Sequence, residues 1–226
     1  DLSGKDLTGT ILKGADLTDA NLNGVDLSGR DLTGTILKGA DLSGKDLTGT
    51  ILKGADLTDV VLPSGSLSKM HFQKTVLDGV DLSGRDLTGT SFWYTSFKNT
   101  NMKNTNLNSA DLMKTDLTEI KNKSLAGSDL SNTSFIFANL SGVNMSDVIL
   151  QRTNFMNANL SGVDFTVASK SPYKGTLFLK ANLSNSNFEG ITLSPDEIIT
   201  TPFKNKADAI NLRGYDQIEY LFGLTY

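Results

Sequence analysis

From Leu2 to Leu117 every fifth residue is Leu, Phe or Met, twenty-four positions without an exception. The phase then slips by three and resumes at Leu125, Leu130, Phe135, Leu140, Met145, Leu150, Phe155, Leu160 and Phe165. A second slip, across Thr166 to Leu177, leads to Phe178, Leu183, Phe188 and Leu193, which makes thirty-seven five-residue units. The segment DLTGTILKGADL recurs verbatim at 6–17, 31–42 and 46–57. A period of five suits neither common element. On a helix each step of five advances about 500°, so the apolar set smears around the axis; on a flat strand it alternates between faces. Gly and Ser or Thr follow the Leu in most early units, as in Asp26-Leu27-Ser28-Gly29, and read as a turn inside each repeat. A chain that turns every five residues and buries the same position each time coils around an axis as a β-helical solenoid.

The units Ala15-Asp16-Leu17, Ala20-Asn21-Leu22, Ala40-Asp41-Leu42, Ala55-Asp56-Leu57, Ala110-Asp111-Leu112, Ala138-Asn139-Leu140, Ala158-Asn159-Leu160 and Ala181-Asn182-Leu183 resemble the A-(D/N)-L-x-x motif of pentapeptide-repeat proteins. The resemblance covers residues 1–193 and implies an all-β fold: a right-handed, four-sided β-helix with four units per coil, here about nine coils. It also implies that the Leu or Phe, and the small residue two places earlier, point inward. At about 4.8 Å per coil such a rod is roughly 45 Å long. Stepping by twenty gives one interior ladder: Leu12, Leu32, Leu52, Phe72, Phe92 and Leu112, then across the slips Phe135, Phe155 and Phe178. Phe recurring through both slips leads us to expect extra residues that bulge outward and faces that stay in register. Lys5, Arg30, Lys45 and Arg85 stand where the family prefers a small residue; their stems are expected to snorkel past the corner and carry the heads to water or a nearby Asp.

Three segments interrupt or end the pattern. Residues 118–124 read as a bulge at one corner, and 166–177, with Ser171-Pro172-Tyr173-Lys174-Gly175, as a projecting loop in which Tyr173 and Lys174 are candidate contacts. From Ser194 the period is lost. Ser194-Pro195-Asp196-Glu197 has the form of a helix start, and 194–226 is expected to be a partly helical cap, with 206–226 a candidate homodimer contact. The chain opens on Asp1 rather than Met, which leads us to expect an upstream segment.

The chemistry is sparse. Without Cys there is no disulfide, thiolate metal site or cysteine nucleophile, and a single His makes a multi-histidine metal centre or an imidazole triad untenable. His71 falls just before Phe72, hence outward. Asp before Leu, as at Asp1, Asp6, Asp16, Asp26 and Asp31, is read as a turn residue whose carboxylate accepts backbone N–H groups. The glycines, spaced by five, never form a strand–loop–helix phosphate cradle. We therefore expect no enzyme, catalytic residue, metal or cofactor. No apolar run approaches the about 20 residues that span a bilayer.

Two binding functions follow from the family resemblance: a protein–protein interaction scaffold such as the repeat portion of a bacterial effector, acting in the bacterial cytoplasm or in a host cell, or a DNA mimic that binds a type II topoisomerase, as quinolone-resistance proteins do. Charge favours the first. Residues 1–60 hold ten acids and six bases, the remainder fifteen of each, for a net charge of −4. Duplex DNA carries one charge per about 1.7 Å, so a faithful 45 Å mimic needs roughly 26. Direct nucleic-acid binding is not expected. Sorting the residue after each inward position by face gives three polar faces. The fourth reads Lys13, Thr33, Lys53 and Gln73 and then turns apolar: Trp93, Met113, Ile136, Met156 and Leu179, with Tyr94 and Phe137 one residue further and Lys74 and Lys114 flanking Tyr94. These seven apolar residues are the candidate protein-binding stripe.

Overall fold

The protein is described by a computed structural model over residues 1–166, 175–178 and 180–187. The loop residues Tyr173 and Lys174, the stripe residue Leu179 and the expected cap at 194–226 lie outside the described residues.

Each five-residue unit contributes one extended step and one tight turn. The residue after the Leu and the one after that form the turn, closed by a hydrogen bond from the next unit to the Leu carbonyl, as from Ala15 N–H to Leu12 O at 2.9 Å and from Ala40 N–H to Leu37 O at 2.9 Å. The second turn residue has positive φ, 70° at Gly14 and 69° at Gly54, the signature of a type II turn. With so little extended backbone per unit, no continuous strand forms among the described residues. Neighbouring coils are joined by single parallel bridges, such as Asp16 to Ile36 and Ile36 to Asp56, twenty residues apart. Four five-residue units therefore complete one turn of the solenoid.

Both phase slips are absorbed without loss of register. Asn106 pairs with Asp129, Asp111 with Ser134 and Asp116 with Asn139, a step of 23, and the step of 20 returns at Ser124 to Asn144. The three surplus residues form a short 3-10 turn at Lys121–Lys123, with Asn122 at φ 56°. The second slip also steps by 23, from Asn154 to Leu177 and from Asn159 to Asn182.

The interior is a stack of side-chain ladders. Leu32, Leu52, Phe72, Phe92, Leu112, Phe135, Phe155 and Phe178 are fully buried. Rings in this column lie face to face: Phe72 on Phe92 at 5.6 Å, Phe135 on Phe155 at 5.3 Å, and Phe155 on Phe178 at 5.5 Å. The second inward position is a polar ladder. Thr75, Thr90, Thr100, Thr133 and Thr153 are buried, and each hydroxyl donates to a Leu carbonyl of the preceding coil, as Thr100 does to Leu77 O at 2.7 Å.

Three of the inward cations likewise donate to backbone carbonyls. Lys45 Nζ donates to Leu22 O at 2.5 Å and Val25 O at 3.3 Å; Arg30 donates to Leu7 O, and Arg85 to Pro63 O and, at 2.9 Å, to Gly65 O. Their heads meet carbonyls of the coil below, and Arg30 also lies close enough to Asp6 and Asp26, and Lys45 to Asp41, to help lower those carboxyls. A charged donor on a backbone carbonyl satisfies the cation where its stem is half-buried.

On the outside, the Asp before each Leu binds the turn that follows it. Asp6, Asp16, Asp26, Asp31, Asp41 and Asp46 each accept from the backbone N–H two residues on, at 2.8–3.0 Å. The neighbouring Thr or Ser hydroxyl, and then this N–H, hold these carboxyls below the usual carboxylate range. Burial pushes Asp81 and Asp116 up, but the Ser83 and Thr118 hydroxyls and amides outweigh it and leave both lowered.

Candidate protein-interaction edge

The predicted stripe lies along one corner of the solenoid rather than on a flat face, because its members are turn residues. Trp93-Tyr94, Met113-Lys114, Ile136-Phe137 and Met156-Asn157 are successive rungs of one corner. They are tied by Tyr94 N–H to Met113 O (3.3 Å), Lys114 N–H to Ile136 O (3.0 Å) and Phe137 N–H to Met156 O (3.0 Å). Below them the corner continues through Gln73-Lys74, whose Lys74 N–H bonds Trp93 O at 2.8 Å, to Lys53-Gly54, Thr33-Gly34 and Lys13-Gly14.

The two residues of each rung behave differently. Trp93, Met113, Ile136 and Met156, the first turn residues, are half-buried, whereas Tyr94 and Phe137, the second, are 46% and 53% exposed. The second position carries Gly in the first three coils and a bulky ring at Tyr94 and Phe137, at φ 58° and 60°. A ring on a left-handed backbone costs of order 1 kcal/mol that Gly avoids.

Cations interleave with the rings. Lys114 Nζ lies 5.1 Å from the Tyr94 ring and 5.9 Å from the Phe137 ring and donates to Tyr94 Oη at 2.9 Å. Lys74 sits over Trp93 at 6.0 Å, not beside Tyr94 as the sequence suggested. The two lysines thus approach the two rings of the Trp93-Tyr94 rung separately. Trp93 packs on Tyr94 with ring centroids 4.9 Å apart, and its indole N–H is buried without an acceptor among the described residues. Among those residues the single salt bridge is Lys98 to Glu119 at 3.4 Å, so neither Lys74 nor Lys114 meets a carboxylate. A cleft of about 430 Å³ adjoins the edge, its lining including Tyr94, Phe97, Lys98 and Lys114 with the carboxylates Asp116 and Glu119.

Sorting by the residue after Leu missed a second outward position, the one before Leu. There Ile11 is 86% and Ile51 45% exposed on one face flanking the edge, and Ile36 is exposed on the other. Val61 and Ile149 are exposed elsewhere, so the remaining faces are not wholly polar. Counting both outward positions would have revealed this. Exposed His71 shares a contact of 3.1 Å between its Nδ1 and Gln73 Nε2. Among the described residues no group of three or more His, Asp or Glu is placed to hold a metal ion, and no helix is long and apolar enough to cross a membrane.

The pentapeptide-repeat family model matches eight copies over residues 1–29, 31–62, 86–118 and 128–166, more than half of the chain. The chain belongs to the pentapeptide-repeat family. Among solved structures it is similar to HetL, a pentapeptide-repeat protein involved in heterocyst differentiation regulation in the cyanobacterium Nostoc, at 26% identity over 80% of this chain and 84% of that one, TM-score 0.42. It is also similar to QnrB1, a plasmid-mediated fluoroquinolone resistance protein, at 20% identity over 94% and 95%, TM-score 0.39. Rfr23 of the cyanobacterium Cyanothece matches at 23% over 49% and 82%, TM-score 0.20. No curated protein matches the chain. The family assignment rests on the repeat match.

Proposed function

We propose that this pentapeptide-repeat protein is a non-enzymatic scaffold that binds a protein partner through the Trp93–Met156 edge. The observation that carries the reading is the placing of Tyr94 and Phe137: two exposed rings on left-handed backbone, at a position that is Gly in the first three coils of the same corner. Around them Trp93, Met113, Ile136 and Met156 form a half-buried apolar bed, the anatomy of an anchor set within a packed surround. The stacked coils hold this bed in one geometry, so a partner meets a rigid surface and little ordering is needed on the scaffold side. Within this class, the effector form predicts that the partner is a host protein.

The test is the paired substitution Tyr94→Gly with Phe137→Gly, beside Trp93→Ala with Met156→Ala. Both pairs should remove the principal protein interaction. The first should leave the melting temperature nearly unchanged, whereas half-buried Trp93 makes the second destabilising as well. A glycine pair that retains its partner contradicts the reading. Inhibition of gyrase supercoiling at micromolar protein would shift the assignment to the topoisomerase-binding class.

A further inference from the structure

Resting on the interaction reading above, we infer that the partner segment is an acidic peptide in the polyproline II conformation, lying along the Lys74–Phe137 rungs with an apolar and an acidic residue each recurring every third position.

The spacing of the edge carries this. Rings and ammonium groups alternate up the corner at the second turn position: Lys74, Tyr94, Lys114, Phe137. Coils are about 4.8 Å apart, so like groups repeat at about 9.6 Å. A polyproline II helix returns to the same side every three residues, about 9.3 Å. A β-strand returns every two residues, about 6.7 Å, and falls out of step within one repeat. The match holds for both sets. Apolar residues of the peptide meet Tyr94 and Phe137 while carboxylates one row over meet Lys114 and Lys74.

The side-chain chemistry points the same way. Lys114 is held between two rings with one hydrogen bond to Tyr94 Oη, and its ammonium keeps donors for a further acceptor. Asp111 and Asp116, its neighbours in sequence, are engaged instead with Met113 N–H at 3.0 Å and Thr118 N–H at 2.9 Å. Lys74 and Lys114, on the rungs between the rings, form no salt bridge among the described residues and can each take a carboxylate from a partner. Trp93, half-buried beside Tyr94 with ring centroids 4.9 Å apart, adds aromatic floor to the edge, as aromatic-lined grooves offer polyproline segments. The aliphatic surround of Met113, Ile136 and Met156 favours peptide over stacked nucleic-acid bases.

Trp93 is the only Trp in the chain, so its fluorescence reads the site without a label. The full chain is titrated with a twelve-residue peptide of four Pro-Leu-Glu triplets. Controls are four Pro-Leu-Lys triplets, six Glu-Leu pairs and a twelve-nucleotide oligothymidylate. The expected result is a saturable Trp93 shift with the first peptide, at least about ten-fold tighter than with any control. Lys74→Glu with Lys114→Glu should weaken it by about ten-fold or more, and Tyr94→Gly with Phe137→Gly should abolish it. No saturable shift, equal binding of the lysine peptide, a preference for the Glu-Leu pairs, or tighter binding of the oligonucleotide each overturns the inference. If the peptide fails while a photo-crosslinker at Phe137 still captures a protein, only the partner chemistry is lost. If both fail, the interaction reading goes with it.

Discussion

Replacing Phe155 by Ala should be among the costliest single changes in the described solenoid. The ring is fully buried and touches three others: face to face on Phe135 at 5.3 Å and Phe178 at 5.5 Å, and edge-on to Phe165 at 6.4 Å. Truncation removes its transfer free energy and leaves a cavity, together about 3–5 kcal/mol for a buried Phe. The upper part of that range applies here, because the walls cannot close. Phe155 N–H is bonded to Leu177 O at 2.7 Å and Asn154 N–H to Thr133 O at 2.9 Å, which fixes the coil spacing on both sides. The ring pairs add about 0.5–1.5 kcal/mol beyond burial, so about 4–5 kcal/mol is expected. Phe155→Leu, which keeps most of the volume, should cost about 1.5 kcal/mol. Lys98→Ala removes only an exposed pair with Glu119, side chains 66% and 61% accessible, and should stay below about 0.5 kcal/mol. Equilibrium urea unfolding followed by circular dichroism measures all three. A loss under about 2 kcal/mol for Phe155→Ala, or three variants that unfold alike, would refute the stacked-ladder account.

Three further outcomes are expected. Thr100→Val leaves Leu77 O with only the Val80 N–H bond at 3.1 Å and should cost about 1 kcal/mol, whereas Thr118→Val at the surface should cost less; equal losses in urea unfolding would deny the polar ladder a role. Folding lowers the carboxyl pKa at Asp6, Asp16, Asp26, Asp31, Asp41 and Asp46, so the stability they lend is complete above the ordinary value of about 3.9 and fades as pH falls through the lower folded values. Unfolding midpoints should hence be flat from about pH 7 to 5 and drop below about 4, and a midpoint that rises on acidification contradicts this. Tyr94→Gly should leave stability within about 1 kcal/mol of the parent, since release of left-handed strain offsets the lost ring contacts; a loss above about 2 kcal/mol would make the ring a structural prop.

The inward register was legible because one position per five must be apolar if every coil is to close on the same core. The turn-binding role of Asp was legible for a related reason: the residue before Leu lies within reach of the amide two residues on. The destination of the interior hydroxyls was not. Thr100 and Leu77 O are separated by 23 residues, a distance that only the stacked coil shortens. The same holds for Lys45, whose acceptors Leu22 O and Val25 O belong to the coil below, although it also lies near Asp41, the acid its place in the sequence suggested. At the edge, the alternation of Lys with aromatic rungs could be read by stepping twenty residues. The division between half-buried Trp93 and exposed Tyr94 could not, because it depends on which turn residue takes positive φ. Ile11, Ile36 and Ile51 escaped notice because they stand before Leu, an outward position that sorting only the residue after Leu leaves out.

Edge-selective capture of a partner tests the central claim most directly. A photo-reactive phenylalanine analogue placed at Phe137, and separately at exposed Asn132 on the neighbouring corner and Thr48 in an earlier coil, is irradiated in the cells that naturally produce the chain. The account predicts one dominant crosslinked protein from position 137, lost when Tyr94 is replaced by Gly, and none from 132 or 48. Crosslinks of equal yield from all three positions, or a product from 132 or 48 alone, would contradict it.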